Sequence, residues 1–311
     1  MSLAGNCISV TYKISQSVTS SDNSTLLFFG VFNSALAVPT AAANALVIVA
    51  ILTTSSLRTP SYLLLTSLAF SDLAVGLFCQ PLLALLVYTF LNGFIDIGCH
   101  LLWACYAISC LVSWASIFII TAISVDRYLA IRLKMRYKTI VTVRRVRCFL
   151  FMLWISSFIL MMIPPVLDME VEMFGVVAAI SLVTFLLVIV VSYTMSFRAL
   201  KIHCAQIQPQ SNQQPNSTTQ SNVIDVLKYR KLLKTMILIV VVILICYIAH
   251  SALFGILSVF GVKRVDALIY ILGLVSIVNL NSLLNPIIYV TRMTDIGRVC
   301  IKILQKFRCI S

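Results

Sequence analysis

Seven long runs of mostly apolar residues constrain this chain more than any other feature of its sequence. A hydrocarbon core about 30 Å thick requires a helix of roughly 20 apolar residues, and every run reaches that length. A composition of 60% hydrophobic and 11% charged residues also excludes an ordinary soluble domain. The sequence therefore predicts an all-α membrane protein, a seven-transmembrane helix bundle. The runs are Leu26–Leu52, Ser61–Tyr88, His100–Leu129, Val146–Pro165, Phe174–Leu200, Leu232–Val259 and Ala267–Val290.

The positions of the basic residues predict how the bundle is oriented. Of the 23 lysines and arginines, 20 fall on one side: Arg58, eight from Arg127 to Arg147, six around the loop after the fifth run and five after Val290. Basic residues are retained in the cytoplasm during insertion. We therefore expect a multi-pass plasma-membrane protein with its amino terminus outside and its carboxyl terminus inside. The net charge of +13 then reflects topology and attraction to anionic membrane lipid rather than nucleic-acid binding.

The sequence divides into an outer tail, a transmembrane domain and a cytoplasmic end. Residues 1–25 are predicted to form the extracellular tail and residues 26–290 the transmembrane domain. Within that domain, residues 205–224 are rich in Gln, Asn, Ser and Pro, which predicts a disordered third intracellular loop. Asn23 begins a glycosylation sequon in the outer tail, whereas the same pattern at Asn216 lies inside.

Residues 291–311 are predicted to form a cytoplasmic amphipathic helix and tail. One helical face carries the apolar residues, and the basic residues are four apart on the other, so the helix should lie in the headgroup layer. Cys309 ends the apolar face, where either a palmitoyl chain or an unmodified thiol is expected. The apolar residues are Ile296, Val299, Cys300, Ile303, Leu304 and Phe307, and the basic ones are Arg298, Lys302 and Lys306.

Short motifs within the runs carry a resemblance to a known family. Asp126-Arg127-Tyr128 ends the third run, and NSLLNPIIY, from Asn281 to Tyr289, ends the seventh. With these motifs the chain resembles the rhodopsin-like (class A) G protein-coupled receptors. The segment DRYLAIRLKMRYKTIVT and a very short second outer loop resemble the branch that holds the melanocortin and adenosine receptors. The other matching motifs are Asn44, LAFSD at Leu68 to Asp72, and Trp154.

The resemblance implies a role for Arg127 in contacting a heterotrimeric G protein. In the closed state of the family this arginine pairs with its neighbouring acid, here Asp126, and activation frees it for the G protein. An ordinary solvated ion pair is the alternative interpretation. The family also implies arrestin as a partner. The remaining residues at matching positions of the activation switch and the G protein surface are Tyr128, Met135, Tyr137, Tyr193, Asn285, Pro286 and Tyr289.

Asp72 is an acid deep within the second apolar run. An ionised carboxylate at that depth costs roughly 3 kcal/mol or more unless it is satisfied. Asp72, Ser116, Asn281 and Asn285 match the family positions that enclose a sodium ion, and oxygen ligands suit a hard cation. An uncharged aspartic acid in a polar hydrogen-bond network is the alternative. No obligatory cofactor is expected.

The sequence departs from the family pattern at several positions. Ala249 and Phe185 stand where the sixth and fifth spans normally carry prolines, so both spans should be straighter. Leu102 stands where the family's outer disulfide has a cysteine, and residues 166–175 offer no partner. Cys99 and Cys7 are candidates for a different pairing, although the sequence does not require it.

The sequence argues against two classes of ligand, amines and retinal. Ser109 replaces the aspartate of amine receptors, and the seventh run lacks the lysine that a retinal Schiff base needs. The remaining pocket is mostly apolar with a few polar groups, which favours an apolar or lipid-like small molecule. A cationic peptide attracted by outer acidic residues is the second candidate. The predicted pocket residues are Tyr106, Ser109, Cys110, Ser113, Tyr247, His250, Phe254 and Asn279.

Other classes of function fit the sequence less well. Asp72 has no second carboxylate within its run, and the three histidines lack a catalytic motif, so an enzyme is not expected. A transporter should show repeated halves and interrupted helices, and neither pattern is present. A seven-span transporter or a membrane scaffold without signalling activity remains the alternative to a receptor.

Overall fold

The computed structural model describes residues 20–167, 171–211, 241 and 264–308. Across these residues the regular structure is helical, and they include no β-strand. Short helical turns at Ser55–Leu57, Lys134–Arg136 and Tyr137–Ile140 connect the long helices. The long helices are α1 (Ser20–Thr53), α2 (Pro60–Leu91), α3 (Ile95–Leu133), α4 (Val143–Val166), α5 (Val171–Ser211), α6 (Arg264–Arg292) and α7 (Thr294–Arg308).

Helices α1 to α6 each contain a segment long and apolar enough to cross a membrane. They correspond to the first five predicted runs and the seventh. The sixth run, Leu232–Val259, lies outside the described residues. Large apolar side chains on the outer surface, such as Phe28, Phe151 and Leu187, are more than half exposed. This surface suits hydrocarbon rather than water, which confirms the predicted membrane bundle.

Threonine caps set the starts of two helices on the basic side. The Thr59 hydroxyl accepts a hydrogen bond from the Tyr62 backbone amide. Pro60 occupies the first turn, where a backbone N–H has no partner within the helix, so its missing N–H costs nothing. Thr142 caps α4 in the same way by accepting from the Arg145 amide. The cap at Thr59 places Ser61 and Tyr62 at the base of α2, beside the end of α3.

A close backbone contact joins α1 and α2. A Cβ atom on Gly76 would lie 2.6 Å from the Ala41 backbone nitrogen, so only glycine fits there. Gly76 belongs to a π-helical turn, Val75–Cys79, within α2. Such turns shift the register of the following residues and often mark functional sites.

Polar side chains hold several helices together inside the bundle. The Asn44 amide on α1 donates to the Ser282 carbonyl on α6 at 3.0 Å. The Trp154 indole on α4 donates to the Ser67 hydroxyl on α2 at 3.2 Å. Because lipid supplies no hydrogen-bond partners, these bonds fix which face of each helix points inward.

Two predicted boundaries need correction. Helix α1 begins at Ser20, so the predicted tail of residues 1–25 overlaps its first turn and Asn23 lies on helix. Asp22 favours this early start because an acid near a helix amino terminus complements its dipole. Helix α5 continues to Ser211, so the first seven residues of the segment 205–224 are helical rather than disordered. Extending a formed helix is far less costly than starting one. The rest of that segment lies outside the described residues.

The amphipathic helix predicted after the seventh run is present as α7. Ile296 and Cys300 are buried against the bundle, whereas Arg298, Lys302 and Lys306 are exposed. Gly297 allows the turn between α6 and α7 to be tight, since a Cβ atom there would collide with the Val290 carbonyl. Cys309 lies outside the described residues.

Substituting Gly76 with alanine should destabilise the bundle. The added methyl group meets backbone, which cannot rotate away, and overpacking of this kind costs about 1–3 kcal/mol. Gly30→Ala is the matched control, because its Cβ would meet only the Val87 side chain, at 3.1 Å. Thermal unfolding in detergent should show a lower melting temperature for Gly76→Ala than for Gly30→Ala. Equal melting temperatures would contradict the predicted clash.

Candidate functional site

A polar network surrounds the carboxylate of Asp126 at the end of α3. Asp126 is only 5% exposed, and its Oδ2 atom pairs with the Arg127 guanidinium at 2.5 Å. The Ser61 hydroxyl of α2 donates to the same oxygen at 2.8 Å. The Tyr137 hydroxyl donates to Oδ1 at 2.5 Å. Asp126 is therefore held by its neighbour and by two other elements, which is more than an isolated surface ion pair.

Tyr137 reaches this network because the chain turns back after α3. Lys134 ends the helix with a φ of 46°, and the turn Lys134–Arg136 leads directly into the short helix that begins at Tyr137. Burial and the hydrogen bond to Asp126 raise the pKa of Tyr137 to about 12. Tyr137 is therefore protonated at neutral pH and can act as the donor that the carboxylate requires.

The base of α2 also connects to α7. The Tyr62 hydroxyl donates to Asp295 Oδ2 at 3.3 Å, and Arg298 pairs with the other oxygen of Asp295 at 3.0 Å. Ser61 and Tyr62 are consecutive, so one turn of α2 bonds both to the end of α3 and to the start of α7. The sequence analysis did not assign Ser61, Tyr62 or Asp295 to the site.

Two tyrosines predicted to belong to the switch lie deeper in the bundle. Tyr193 of α5 is within hydrogen-bonding reach of Ser124 on α3 and is close to Arg127. Tyr289 of α6 is fully buried, and its hydroxyl has no hydrogen-bond partner among the described residues. It lies close enough to Asp72 and Tyr193 to interact electrostatically with both. Tyr289 thus lies between Asp72 and the residues around Arg127.

Tyr128, a further predicted residue, makes a ring contact instead of a bond to Asp126. The ring of Tyr128 lies under the Arg132 guanidinium, 5.9 Å from its carbon to the ring centroid. Met135 lies on the turn Lys134–Arg136, and its side chain is not among those described. Pro286 is buried within α6, directly after Asn285 and three residues before Tyr289.

The second polar group is centred on Asp72. Its carboxylate is 3% exposed and accepts a hydrogen bond from Asn285 at 2.8 Å, with Ser282 also within reach. Ser116 donates to Ser71 at 3.0 Å rather than to Asp72. Ser282 is therefore a neighbour of Asp72 that the sequence analysis did not assign.

The donor set around Asp72 fits a hard monovalent cation. Asp72 and the hydroxyls of Ser71 and Ser116 supply oxygen atoms within one region of the bundle. The Oδ1 atoms of Asn44 and Asn285 are buried and have no hydrogen-bond partner among the described residues. Oxygen atoms of this kind are the usual ligands of such cations.

A third polar cluster links α1 to α6. Asn33 donates to Ser276 at 2.8 Å and accepts from Asn279 at 3.0 Å, and all three side chains are buried. Asn33, Thr40 and Asn44 recur at a helical period on one face of α1, a signal that could have revealed this cluster from the sequence. Gln80 of α2 is also fully buried, and neither of its amide atoms has a partner among the described residues.

The predicted ligand-binding residues are only partly brought together. Tyr106 and Cys110 interact along α3, and Ser109 is within hydrogen-bonding reach of Cys79 on α2. Asn279 bonds to α1 instead, as part of the third cluster. Ser113 is half-buried on α3. Tyr247, His250 and Phe254 lie outside the described residues.

The structure also settles a point about Cys99 that the sequence left open. Cys99 is disulfide-bonded and 3% exposed. Leu102, at the expected position of the family cysteine, lies three residues further along α3. The disulfide therefore starts from a different position than the family pattern implies.

Comparison with known families gives a match to most of the chain. The family model described as 7 transmembrane receptor (rhodopsin family) matches residues 43–289. The matched region extends from the first predicted run to Tyr289 at the end of the seventh. It confirms the rhodopsin-like resemblance and, with the helical structure, the predicted fold class.

Adenosine receptors are among the similar curated proteins. Adenosine receptor A2b of Canis lupus familiaris is 40% identical over 124 residues, which cover 40% of this chain and 36% of that protein. The Homo sapiens A2b receptor is 41% identical over 117 residues, covering 38% and 34%. Adenosine receptor A3 of Bos taurus is 33% identical over 124 residues, covering 39% and 37%. The matched stretches span little more than a third of these relatives, and over those stretches the chain is similar to adenosine receptors.

Replacing Gln80 with leucine should stabilise the protein. A buried polar group without a partner costs about 1–3 kcal/mol, and leucine has a similar volume without that cost. Asn33→Leu is the matched comparison and should destabilise, because it leaves Ser276 and Asn279 without their partner. Melting temperatures in detergent should move in opposite directions for the two variants. A lower melting temperature for Gln80→Leu would show that the amide makes a favourable interaction.

Proposed function

Since the chain belongs to the rhodopsin family of seven-transmembrane receptors, we propose that it transmits an extracellular ligand signal to a heterotrimeric G protein through Arg127. In this proposal the amino terminus is extracellular, and the ends of α3, α5 and α6 near Arg127 face the cytoplasm at the plasma membrane. The concentration of basic residues on that side supports this orientation. Exposed Asn23 would then be available for glycosylation, and Cys309 for palmitoylation on the inner side.

The observation that carries the proposal is the restrained ion pair of Asp126 and Arg127. The guanidinium is always charged and is only 12% exposed, so it needs an anionic partner in this closed arrangement. Ser61 and Tyr137 both bind the same carboxylate and hold it in place. A G protein that offers acceptors to Arg127 would compete with this network, and so would select a different conformation.

Further contacts with the transducer are assigned by the family resemblance. Met135 lies eight residues after Arg127, on the turn Lys134–Arg136, and would insert into the G protein. Tyr193 and Tyr289 would approach each other when the bundle opens, together with the Asn285-Pro286 segment of α6. Arrestin would use the same surface.

The test is signalling from the full-length receptor in cells, read by a sensor of G protein dissociation. Arg127→Ala should abolish the ligand-dependent signal, and Met135→Ala should weaken it, at equal surface expression. Lys138→Ala, an exposed residue outside the network, is the control and should signal normally. A receptor that signals normally without Arg127 would refute the proposed role. A scaffold would give no signal with any ligand, and a transporter would instead accumulate its substrate.

For the ligand we propose an apolar or lipid-like small molecule, with a peptide as the second class. The described part of the pocket supports this choice. Cys79 and Cys105 are buried thiols close to Ser109 and Tyr106, and a thiol is only a weakly polar group. Adenosine is the third candidate, supported by the names of the similar receptors. A screen should therefore contain lipid mediators, peptides and adenosine, each measured against Arg127→Ala.

We further propose that Asp72, Ser116 and Asn285 would hold a sodium ion, with Ser71, Ser282 and Asn281 nearby. The bound cation would neutralise Asp72 and stabilise the closed bundle. The unpartnered oxygen of Asn285 supports this assignment over an uncharged aspartic acid. The residues themselves join α2, α3 and α6, so their separation would accompany activation.

Tyr137→Phe should raise signalling in the absence of ligand. The substitution removes the hydroxyl that donates to Asp126 while keeping the ring, and hydrogen bonds to charged groups contribute about 1.5–3 kcal/mol. If half of this hydrogen-bond free energy stabilises the closed state relative to the active state, losing it should raise the active fraction several-fold. Tyr88→Phe is the control, because this exposed ring keeps its contact with Phe94 and no Asp126 bond is lost. Identical basal signals in both variants would show that Tyr137 does not restrain the switch.

Asp72→Asn should remove the effect of sodium on the receptor. In the wild type, replacing choline chloride with sodium chloride should lower basal signalling, because the cation stabilises the closed bundle. The variant keeps the shape of the side chain but loses its charge, so its signal should not depend on sodium. A sodium effect of equal size in Asp72→Asn would contradict the site. Ser181→Ala, half-buried on α5 and away from Asp72 in the chain, controls for general effects of substitution.

A further inference from the structure

Two arginines at the start of α4 have no anionic partner among the described residues. Arg144 and Arg147 lie in the first turns of the helix, and both are exposed. The described ion pairs are formed by other residues. From residue 127 to residue 167 the sequence contains no aspartate or glutamate. The two guanidinium groups are therefore available to an anion outside the chain.

Arg145, which lies between them, already has a partner. Its guanidinium donates to the Ile140 carbonyl at 2.7 Å and so ties the first turn of α4 to the short helix Tyr137–Ile140. Thr142 caps α4 just before this turn by accepting a hydrogen bond from the Arg145 amide. These bonds fix the direction of the first turn, so the two free arginines project from a defined position beside the helix that carries Tyr137.

Arg144 begins a line of exposed side chains along α4. Phe151, Ile155, Phe158 and Met162 follow it at intervals of seven, four, three and four residues, and all four are exposed. Such intervals place residues on one face of a helix. The buried residues of α4 lie on the opposite face. We call the four exposed residues the α4 apolar line, and Arg144 stands at its end.

Helix α4 has the most lipid contact of the described spans. In its most apolar segment 17% is buried inside the protein, against 28% to 44% in the others. Arg147 comes one turn after Arg144, and helix neighbours of this kind have Cβ atoms about 5–6 Å apart. An arginine can keep its charge at the headgroup level while its methylene groups lie along apolar surface. An occupant of this face therefore needs apolar chains and a negatively charged head at one end.

We infer that Arg144 and Arg147 bind the headgroup of a phosphoinositide whose acyl chain lies along the α4 apolar line. A guanidinium group matches the oxygen geometry of a phosphate. A phosphoinositide carries ring phosphate besides its phosphodiester, so each arginine has a phosphate to bind. Basic clusters at the cytoplasmic end of a membrane helix attract lipids of this kind. The inference rests on the orientation given under the proposed function, which places the start of α4 at the inner leaflet.

A membrane lipid fits this face better than a protein partner does. The line from Arg144 to Met162 runs along the wall of the bundle rather than across its end, so a protein bound at the Arg127 end would not cover it. The lipid would lie beside the Asp126 network, because Arg145 joins the same turn of α4 to the short helix that begins at Tyr137.

The experiment uses the full-length receptor in phosphatidylcholine nanodiscs that contain a small fraction of phosphatidylinositol bisphosphate with a photoactivatable acyl chain. After irradiation and proteolysis, mass spectrometry should find the label on peptides from Phe151 to Met162. Arg144→Gln combined with Arg147→Gln should lower this labelling about tenfold or more, because each arginine near an anionic headgroup contributes roughly five-fold to binding. Lys134→Gln combined with Arg136→Gln removes the same charge from the neighbouring exposed turn and should keep most of the label.

Competition separates a specific site from the general attraction of a basic protein to anionic lipid. Unlabelled phosphatidylinositol bisphosphate should displace the label from α4, whereas phosphatidylserine at equal total negative charge should displace much less. Equal displacement by the two lipids would overturn the inference, as would an equal loss of label in the two double variants. If the arginine variant fails to fold, the wild-type experiments still decide, because label spread evenly over all helices would refute the site.

Failure of this inference and failure of the G protein proposal are distinguishable. The labelling needs neither a ligand nor a G protein, and the nanodisc offers the lipid on both of its faces. A receptor that binds the lipid on α4 but gives no signal would leave the lipid site standing. A receptor that signals but takes no label on α4 would leave only the G protein proposal.

Discussion

A polar side chain inside this bundle has to find its partners on other helices, because hydrocarbon offers none. This constraint determines how the helices meet. Asn44 binds the Ser282 carbonyl, Trp154 binds Ser67, and Asn285 binds Asp72, so the few polar residues of apolar helices become their contacts. Apolar packing alone is weakly specific in lipid, since lipid tails are as apolar as leucine. The polar pairs therefore specify rotation and depth, and the apolar residues fill the space around them.

The same constraint explains how the Arg127 end of α3 could exchange partners in the proposed receptor. A guanidinium that is 12% exposed needs acceptors, and Asp126 supplies them while Ser61 and Tyr137 satisfy the remaining lone pairs of the carboxylate. The pair lies at the end of a helix, where a protein partner can reach it. A partner with its own acceptors can replace Asp126 without leaving a buried charge unsatisfied. Such an exchange would have a modest free-energy difference, which is what the proposed switch requires.

Residues that follow a period or a motif could be predicted from the sequence, and residues that depend on tertiary contacts could not. The length of the apolar runs predicted six described helices, and the spacing of Ile296 and Cys300 predicted the buried face of α7. Ser61 and Asp295 have no such pattern, because their importance comes from a turn that brings distant segments together. Asn279 was assigned to a ligand pocket, but its amide binds Asn33 on the first helix. The periodic polar face of α1 indicates a contact with another helix, but a search for long apolar runs does not detect it.

The first turn of α2 explains how the two ends of the polar system can move together. Thr59 and Pro60 fix the start of this helix, so Ser61 and Tyr62 project from one rigid turn. Ser61 binds the acid of α3 and Tyr62 binds the acid that begins α7. Further along α2, Asp72 binds α6, and Gly76 contacts the α1 backbone. Movement of α3 or α6 away from α2 must therefore break a polar contact at one level, while the α1–α2 contact keeps α2 in place. In the proposed receptor, helix α2 would thus serve as the fixed element against which the other helices change position.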